Sequence, residues 1–281
     1  MVQRIFKMLF VVLYILNVQF SPNNLDIESD KGFSIIWLSD TQDMAYSSYD
    51  HALQKMGSWI LSMKQELNIR YVVQTGDAVD NGASQWQWDN FDELYDQIRG
   101  KLPYISAAGN HEVKKNGYLE YCMRPDIRSI PRANSFLRGV SSFSTFEVNE
   151  CKFIVVAIGF GMEEKSVPWV NRVLRDHKEY TAILLFHDYM QDNGRFSING
   201  KSMYKQIVET NSNVRLVLCG HVLGVSSRID SIDDDGDGET DRTVAQLMYN
   251  YQHFKTDCGQ LRILEFNTED RSITITTYSP V

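Results

Sequence analysis

Short apolar runs alternate with amphipathic stretches through the first two thirds of the chain. Ser34 to Leu38 (SIIWL) is a continuous apolar run of strand length. From Tyr49 to about Glu66 a helix is predicted, with Leu53, Met56, Ile60, Met63 and Leu67 at helical spacing. Arg70 to Gln74 is a second strand. A helix then starts at Ser84, where Ser84 and Gln87 form a capping-box pattern. Its apolar face is Trp88, Phe91, Leu94, Tyr95 and Ile98, and Gly100 is a natural stop. Pro103 to Ala107 reads as a third strand, and residues 113–140 as loops with a short helix. Ser142–Val148 and Lys152–Ile158 read as a hairpin, followed by a helix from Ser166 with Pro168 in its first turn. Thr181–Phe186, a helix near Lys201–Glu209, and Val214–Cys219 continue the alternation. Beyond Gly220 four strand-like runs follow: Val225–Asp230, Thr243–Met248, Leu261–Phe266 and Ile273–Tyr278. The pattern is thus βα repeats ending in a β meander, with no internal repeat or linker to divide it.

Composition narrows the classes. A chain of 281 residues with 43% hydrophobic positions can build a sizeable core without disulfide or metal staples. With 36 acidic against 28 basic residues the net charge is −8, so no nucleic-acid-binding surface is evident. At the N-terminus Arg4 and Lys7 precede the apolar run Met8–Val18, the layout of a secretory signal. Residues 1–20 are therefore expected to be a signal peptide or uncleaved anchor on an exported, extracytoplasmic protein; a buried N-terminal strand is the alternative. The run is short for a membrane span, which needs about 20 residues. Residues 30–281 form the expected globular domain. The cysteines, Cys122, Cys151, Cys219 and Cys258, fit no CxxC zinc spacing. Cys219 reads as a buried thiol. Cys122 and Cys151 could pair in an oxidising compartment, though sequence cannot fix the geometry.

Chemistry gathers at five strand ends. Asp40-Thr41-Gln42 follows the first strand, Gly76-Asp77 the second, and Gly109-Asn110-His111-Glu112 the third. His187-Asp188 and Gly220-His221 follow two later strands. In an open α/β sheet the carboxyl ends of the strands form the ligand crevice, so five such ends can converge. Alone, a Gly-Asp is an ordinary turn and a His an ordinary core residue. Their joint order carries the argument. Asp, Asn and His without thiolate suit Mn, Fe or Zn, one ion or two.

This series (D-x-x, GDxVD, GNHE, H, GH) resembles the calcineurin-like metallophosphoesterase family from Ile35 to about His221. Gln at the third position of the first motif, the late acidic turn and Tyr251-Gln252 resemble a bacterial-type subgroup. The resemblance implies a four-layer αββα sandwich of two mixed β-sheets around a dinuclear metal site. It implies that Asp77 bridges the metals, that Asn110, His187 and His221 complete one site, and that Asp40 serves the other. His111 would protonate or stabilise the leaving oxygen of a phosphoester substrate, and a metal-activated water would attack. Two positions depart from the pattern. Gln42 stands where the family has His in D-x-H, and Leu223 where it has the second His of G-H-x-H. Gln42 keeps a carbonyl oxygen to offer; Leu223 offers none. His253 is a conceivable substitute ligand, and a surface histidine is the plainer reading. The expected activity is metal-dependent phosphoester hydrolysis at a partly degraded site. The alternative is a catalytically impaired pseudoenzyme that binds a phosphorylated ligand, and a purely structural domain would not need five polar strand ends.

Asp233-x-Asp235-x-Asp237-Gly238 matches the start of a calcium loop, but its twelfth position is Val244 where a bidentate Glu is wanted. Calcium at Asp233, Asp235 and Asp237 competes with a solvated acidic turn. Trp86 could rim a substrate mouth, with Tyr189 in the pocket wall; packed aromatics are the bland reading of both. No GxSxG elbow and no P-loop is present.

Overall fold

A computed structural model describes residues 32–47, 51–113, 117–252 and 259–281, and a strand at 14–17. The strands are β1 (Tyr14–Asn17), β2 (Phe33–Leu38), β3 (Ile69–Gln74), β4 (Tyr104–Ser106), β5 (Ser135–Phe136), β6 (Ser141–Val148), β7 (Cys151–Ala157), β8 (Thr181–Leu185), β9 (Val214–Cys219), β10 (Gly224–Ile232), β11 (Arg242–Asn250), β12 (Leu261–Asn267) and β13 (Ser272–Tyr278). Helices are α1 (Gln42–Ser47), α2 (Ala52–Ser62), α3 (Gln85–Ile98), α4 (Asn110–Val113), α5 (Gly117–Met123), α6 (Pro125–Arg128), α7 (Glu163–Asp176) and α8 (Ile198–Met203). One sheet runs β1-β13-β12-β2-β3-β4, the other β10-β11-β9-β8-β7-β6-β5. Within them β2-β3-β4 and β7-β8-β9-β11 are parallel and the outer pairings antiparallel.

The continuous apolar runs are explained by burial on both faces. In β2, Phe33, Ile35 and Trp37 enter the core between the sheets, while Ile36 and Leu38 pack toward α2 and α3. A third cluster joins β7, β8 and β9 to α7 and α8. The result is helices, sheet, sheet, helices: the αββα sandwich. The Tyr249 hydroxyl donates to the Trp37 carbonyl (2.6 Å) across the sandwich.

Several expectations need correction. The four final strands do not form a meander. The β10–β11 hairpin extends one sheet, with β11 parallel to β9, while β12 and β13 join the other beside β2. The four strands therefore divide between the two layers, which alternation within each strand does not reveal. Ser84 is the N-cap of α3, yet its hydroxyl makes no capping bond; the Gln87 carbonyl oxygen instead accepts from the N–H of Asn81 (2.8 Å). α7 begins at Glu163, so Pro168 lies inside the helix rather than in its first turn. Cys122 and Cys151 are buried in different clusters and form no disulfide with each other. Of residues 1–20 only Tyr14–Asn17 is described, paired antiparallel to Ser272–Ile275. Among the described residues no helix is long and apolar enough to cross a membrane.

Candidate metal centre

β2, β3, β4, β8 and β9 end on one side of the sandwich, and the residues just past them meet there. Asp77 Oδ2 lies 3.1 Å from His187 Nε2. The same nitrogen is 3.0 Å from Asn110 Oδ1 and 3.1 Å from His221 Nδ1. His187 Nδ1 is bonded to the Thr75 carbonyl (2.9 Å), which turns Nε2, the nitrogen a cation would take once its proton leaves, toward the other three. Four donor atoms with no thiolate thus face one point, and the carboxylate and imidazole groups of Asp77, His187 and His221 lie within 4.8 Å of one another. Without a cation such a set is frustrated; a divalent ion of the Mn, Fe or Zn type reconciles it.

The backbone is bent to make this meeting. Asp40, Asp77 and His221 all adopt left-handed conformations, φ 51°, 52° and 70°, which non-glycine residues take at a cost. Two glycines give the loops room. A Cβ on Gly109 would strike the Asp77 carboxylate, and one on Gly220 would strike Asp40 and Ser39. Trp37, a fully buried core residue, donates from its indole to Thr75 Oγ1 (3.0 Å). Thr75 donates to Ser39 Oγ (2.6 Å), and Ser39 to Asp40 Oδ2 (2.5 Å). The Asp40 carboxylate also accepts the N–H of His221, at 3.2 and 3.1 Å.

Glu112 is the residue whose role sequence reasoning missed, although it stands in the GNHE run. It is buried, and its carboxylate accepts the N–H groups of Asp77 (2.9 Å), Val79 (3.1 Å) and Gly109 (2.6 Å). One side chain therefore clamps the turn after β3 to the turn after β4. Three loop N–H groups without sheet partners are the physical need it answers.

Electrostatics follow from this crowding. Burial opposes charge on His187, but Asp77 and Asp40 push its imidazole up to about 10. Burial alone would raise Asp77; the charge and hydrogen bond of His187, with the N–H of His111, hold it below the ordinary carboxylate value. Burial and the charge of Asp77 push Asp40 up to about 7, against the pull of His187. Glu112 also rises to about 7, through burial and Asp77, against the pull of its N–H donors.

His111 stands at the mouth with its side chain one-third exposed. Its Nδ1–H donates to the Asp80 carbonyl (2.7 Å), leaving Nε2 on the inner side, 3.8 Å from Asp77 Oδ2. Its own N–H donates to Asp77 Oδ1 (3.0 Å). Gln42, 2% exposed, donates its amide to Asp77 Oδ2 (3.4 Å). Its Oε1 is buried without a hydrogen-bond partner.

The profile of the calcineurin-like phosphoesterases matches residues 33–224. The chain belongs to this family. It is 35% identical to the uncharacterized protein YvnB of Bacillus subtilis (strain 168) over 257 residues. These cover 88% of the chain but only 20% of YvnB, so the chain spans about a fifth of that relative. It is 25% identical to a probable cyclic nucleotide phosphodiesterase of Moraxella catarrhalis (strain BBH18), covering 70% of the chain and 73% of the relative. Among solved structures, the purple acid phosphatase PPD1 of yellow lupin shares the fold, with TM-score 0.59 and 14% identity over 90% of the chain and 52% of its own. TT1561 of Thermus thermophilus does so at TM-score 0.53 and 13% identity, over 89% and 100%. Family members typically use divalent metals, and Asp77, His187 and His221 are a group able to hold one.

The other sequence candidates distribute differently. Leu223 is substantially exposed and brings no donor. His253 lies outside the described residues. Tyr189 is fully buried, its hydroxyl donating to Gln246 Oε1 (2.5 Å), so it packs the core and does not line the pocket wall. Trp86 is exposed and its ring centroid is 6.1 Å from that of Tyr46, whereas Trp88 is buried. The carboxylates of Asp233, Asp235 and Asp237 gather in an exposed turn and accept N–H groups from Gly236, Gly238, Asp237 and Glu239. Val244 is buried in β11 and cannot return to that turn. Its anchor is Arg242, fully buried, whose guanidinium holds Asp234 and the carbonyls of Val208 and Val214.

Proposed function

We propose that the chain hydrolyses phosphoesters with a divalent cation held by Asp77, Asn110, His187 and His221. The observation that carries this reading is the convergence of the other three donor atoms on His187 Nε2. A bound cation would activate a water and neutralise charge on the phosphoryl oxygens. The chain's own groups do the rest. Asp77 and Asp40 supply negative charge from a buried floor. Glu112 holds the loops of Asp77 and Asn110 in register, so that the ligands are pre-positioned. His111, tethered through Nδ1 to Asp80, would in its doubly protonated form present an Nε2–H that passes to the departing oxygen, leaving the neutral imidazole.

The substrate class we favour is a phosphodiester bearing a planar ring. Two observations support it. The curated relatives in Moraxella and Colwellia are named probable cyclic nucleotide phosphodiesterases. On this chain Tyr46 sits one helical turn beyond Gln42, hence on the same side of α1, and meets Trp86 in an exposed aromatic pair.

The test is hydrolysis of aryl phosphate mono- and diesters with added Mn²⁺, wild type beside Asp77→Ala. Activity that falls to background in the variant is expected. Background rates in both proteins would reject hydrolysis and leave the second reading, a phosphate-ligand binder; the departures at Gln42 and Leu223 favour that reading.

A further inference from the structure

We infer that the centre holds one divalent cation and that the Gln42 amide occupies the remaining coordination direction of Asp77. The inference deepens the hydrolase reading and rests on its cation at Asp77, Asn110, His187 and His221.

A carboxylate that bridges two cations must keep lone pairs free for both. Those of Asp77 are largely committed. Its Oδ1 accepts the N–H of His111 (3.0 Å). Its Oδ2 faces His187 Nε2 at 3.1 Å on one side and the Gln42 amide at 3.4 Å on the other. The amide is oriented by chemistry, since the opposite orientation would set Gln42 Oε1 against the carboxylate. A neutral N–H donor thus stands where a second cation would compete for Asp77.

Asp40 is poorly placed to recruit that cation. Its Oδ2 takes the Ser39 hydroxyl at 2.5 Å, and both of its oxygens take the N–H of His221. Among the described residues, the groups of three or more carboxylate, imidazole or thiol donors within mutual reach are Asp77–His187–His221 and the exposed acidic turn. Asp40 belongs to neither. Leu223, three residues past Gly220, presents hydrocarbon to solvent. The competing arrangement turns the amide round, so that the partnerless Oε1 becomes a ligand to a second ion. The two arrangements differ in stoichiometry and in what removal of Gln42 does.

The experiment loads the full chain with Mn²⁺, removes free ion by desalting, and reads metal content by elemental analysis and coupling by electron paramagnetic resonance. One equivalent per chain, with the six-line spectrum of an isolated Mn²⁺, is expected. Gln42→Ala should keep that single equivalent with the same uncoupled six-line spectrum. Two equivalents in the wild type with an exchange-coupled spectrum would overturn the inference; a second equivalent without coupling belongs to the exposed Asp233–Asp235–Asp237 turn and leaves one ion at the centre, as inferred. Loss of the bound ion in Gln42→Ala would overturn it as well; the wild-type stoichiometry and spectrum decide the matter even if the variant does not fold. No bound ion at all would reject the proposed function and this inference together. One bound ion without hydrolysis would reject only the proposed function.

Discussion

Glu112→Ala removes the acceptor of three buried N–H groups at once. Each buried donor left unsatisfied costs about 1–3 kcal/mol. An opposing gain exists, because the carboxylate is itself uncomfortable. Its rise from 4.5 to about 7, caused by burial and Asp77, corresponds to about 3 kcal/mol recovered at neutral pH when the charge is deleted. At the middle of that range three orphaned donors cost about 6 kcal/mol, so the net loss should be about 3 kcal/mol. For a domain of this size, that lowers Tm of the metal-free protein by about 5–10 °C. Because the clamp joins the Asp77 loop to the Asn110 loop, Mn²⁺ affinity should also fall about tenfold or more. Glu112→Gln separates the terms. Its one oxygen can still serve Asp77 and Gly109, while its amide opposes the N–H of Val79, so one bond is lost and the charge penalty vanishes. The sign with pH follows. The folded protein keeps a proton on Glu112 that the unfolded chain loses above 4.5. Wild-type stability from this group is thus fully present below 4.5 and is lost as pH rises to about 7. Glu112→Gln should therefore gain on wild type across that window. Scanning calorimetry and Mn²⁺ titration measure both effects. A Tm within about 2 °C of wild type, together with unchanged Mn²⁺ affinity in Glu112→Ala, would refute the clamp.

Three further outcomes are expected. In the metal-free protein His187 is pushed up to about 10, so at pH 7 a cation must displace its proton. Mn²⁺ binding should release about one proton and tighten up to tenfold per pH unit below about 10; heats that do not depend on the buffer's ionisation enthalpy would contradict this. Tyr189→Phe orphans the buried Gln246 Oε1 and should cost about 1–3 kcal/mol in thermal denaturation while leaving Mn²⁺ affinity alone. A weakened affinity would restore Tyr189 to the pocket. Gly109→Ala drives a methyl into the Asp77 carboxylate and should weaken Mn²⁺ binding at least about tenfold, with about 1–3 kcal/mol of strain. Wild-type affinity in that variant would mean the loop has slack.

Much of the architecture can be read from residue order because its strands are buried on both faces. SIIWL, YVVQ and LVLC leave little doubt of their type, and each is followed directly by its polar group. α1 escapes such a reading because QDMAYS has one turn and no repeat to reveal it. The final four strands are legible, but not their division between the sheets, since partner choice depends on contacts far apart in sequence. Tyr189 looks like a pocket residue by adjacency to His187; successive residues past a strand point in different directions, and this one points into the core. Glu112 is visible as a letter of the third motif. Its function lies in accepting N–H groups from three other residues, which no spacing rule encodes.

The proposed ligands come from both halves of the sandwich: Asp77 and Asn110 follow strands of one sheet, His187 and His221 strands of the other. An ion bound among them would act as a rivet through the seam, joined elsewhere by side-chain packing and by hydrogen bonds such as Tyr249–Trp37 and Phe160–Ala108. Loading and folding then become one equilibrium: free cation at a hundred times its dissociation constant would add about 2.7 kcal/mol to the stability of the whole molecule. Metal supply would thus set the lifetime of the chain as well as its chemistry, and a core substitution that shifts one sheet against the other would be felt first as a loosened grip on the ion.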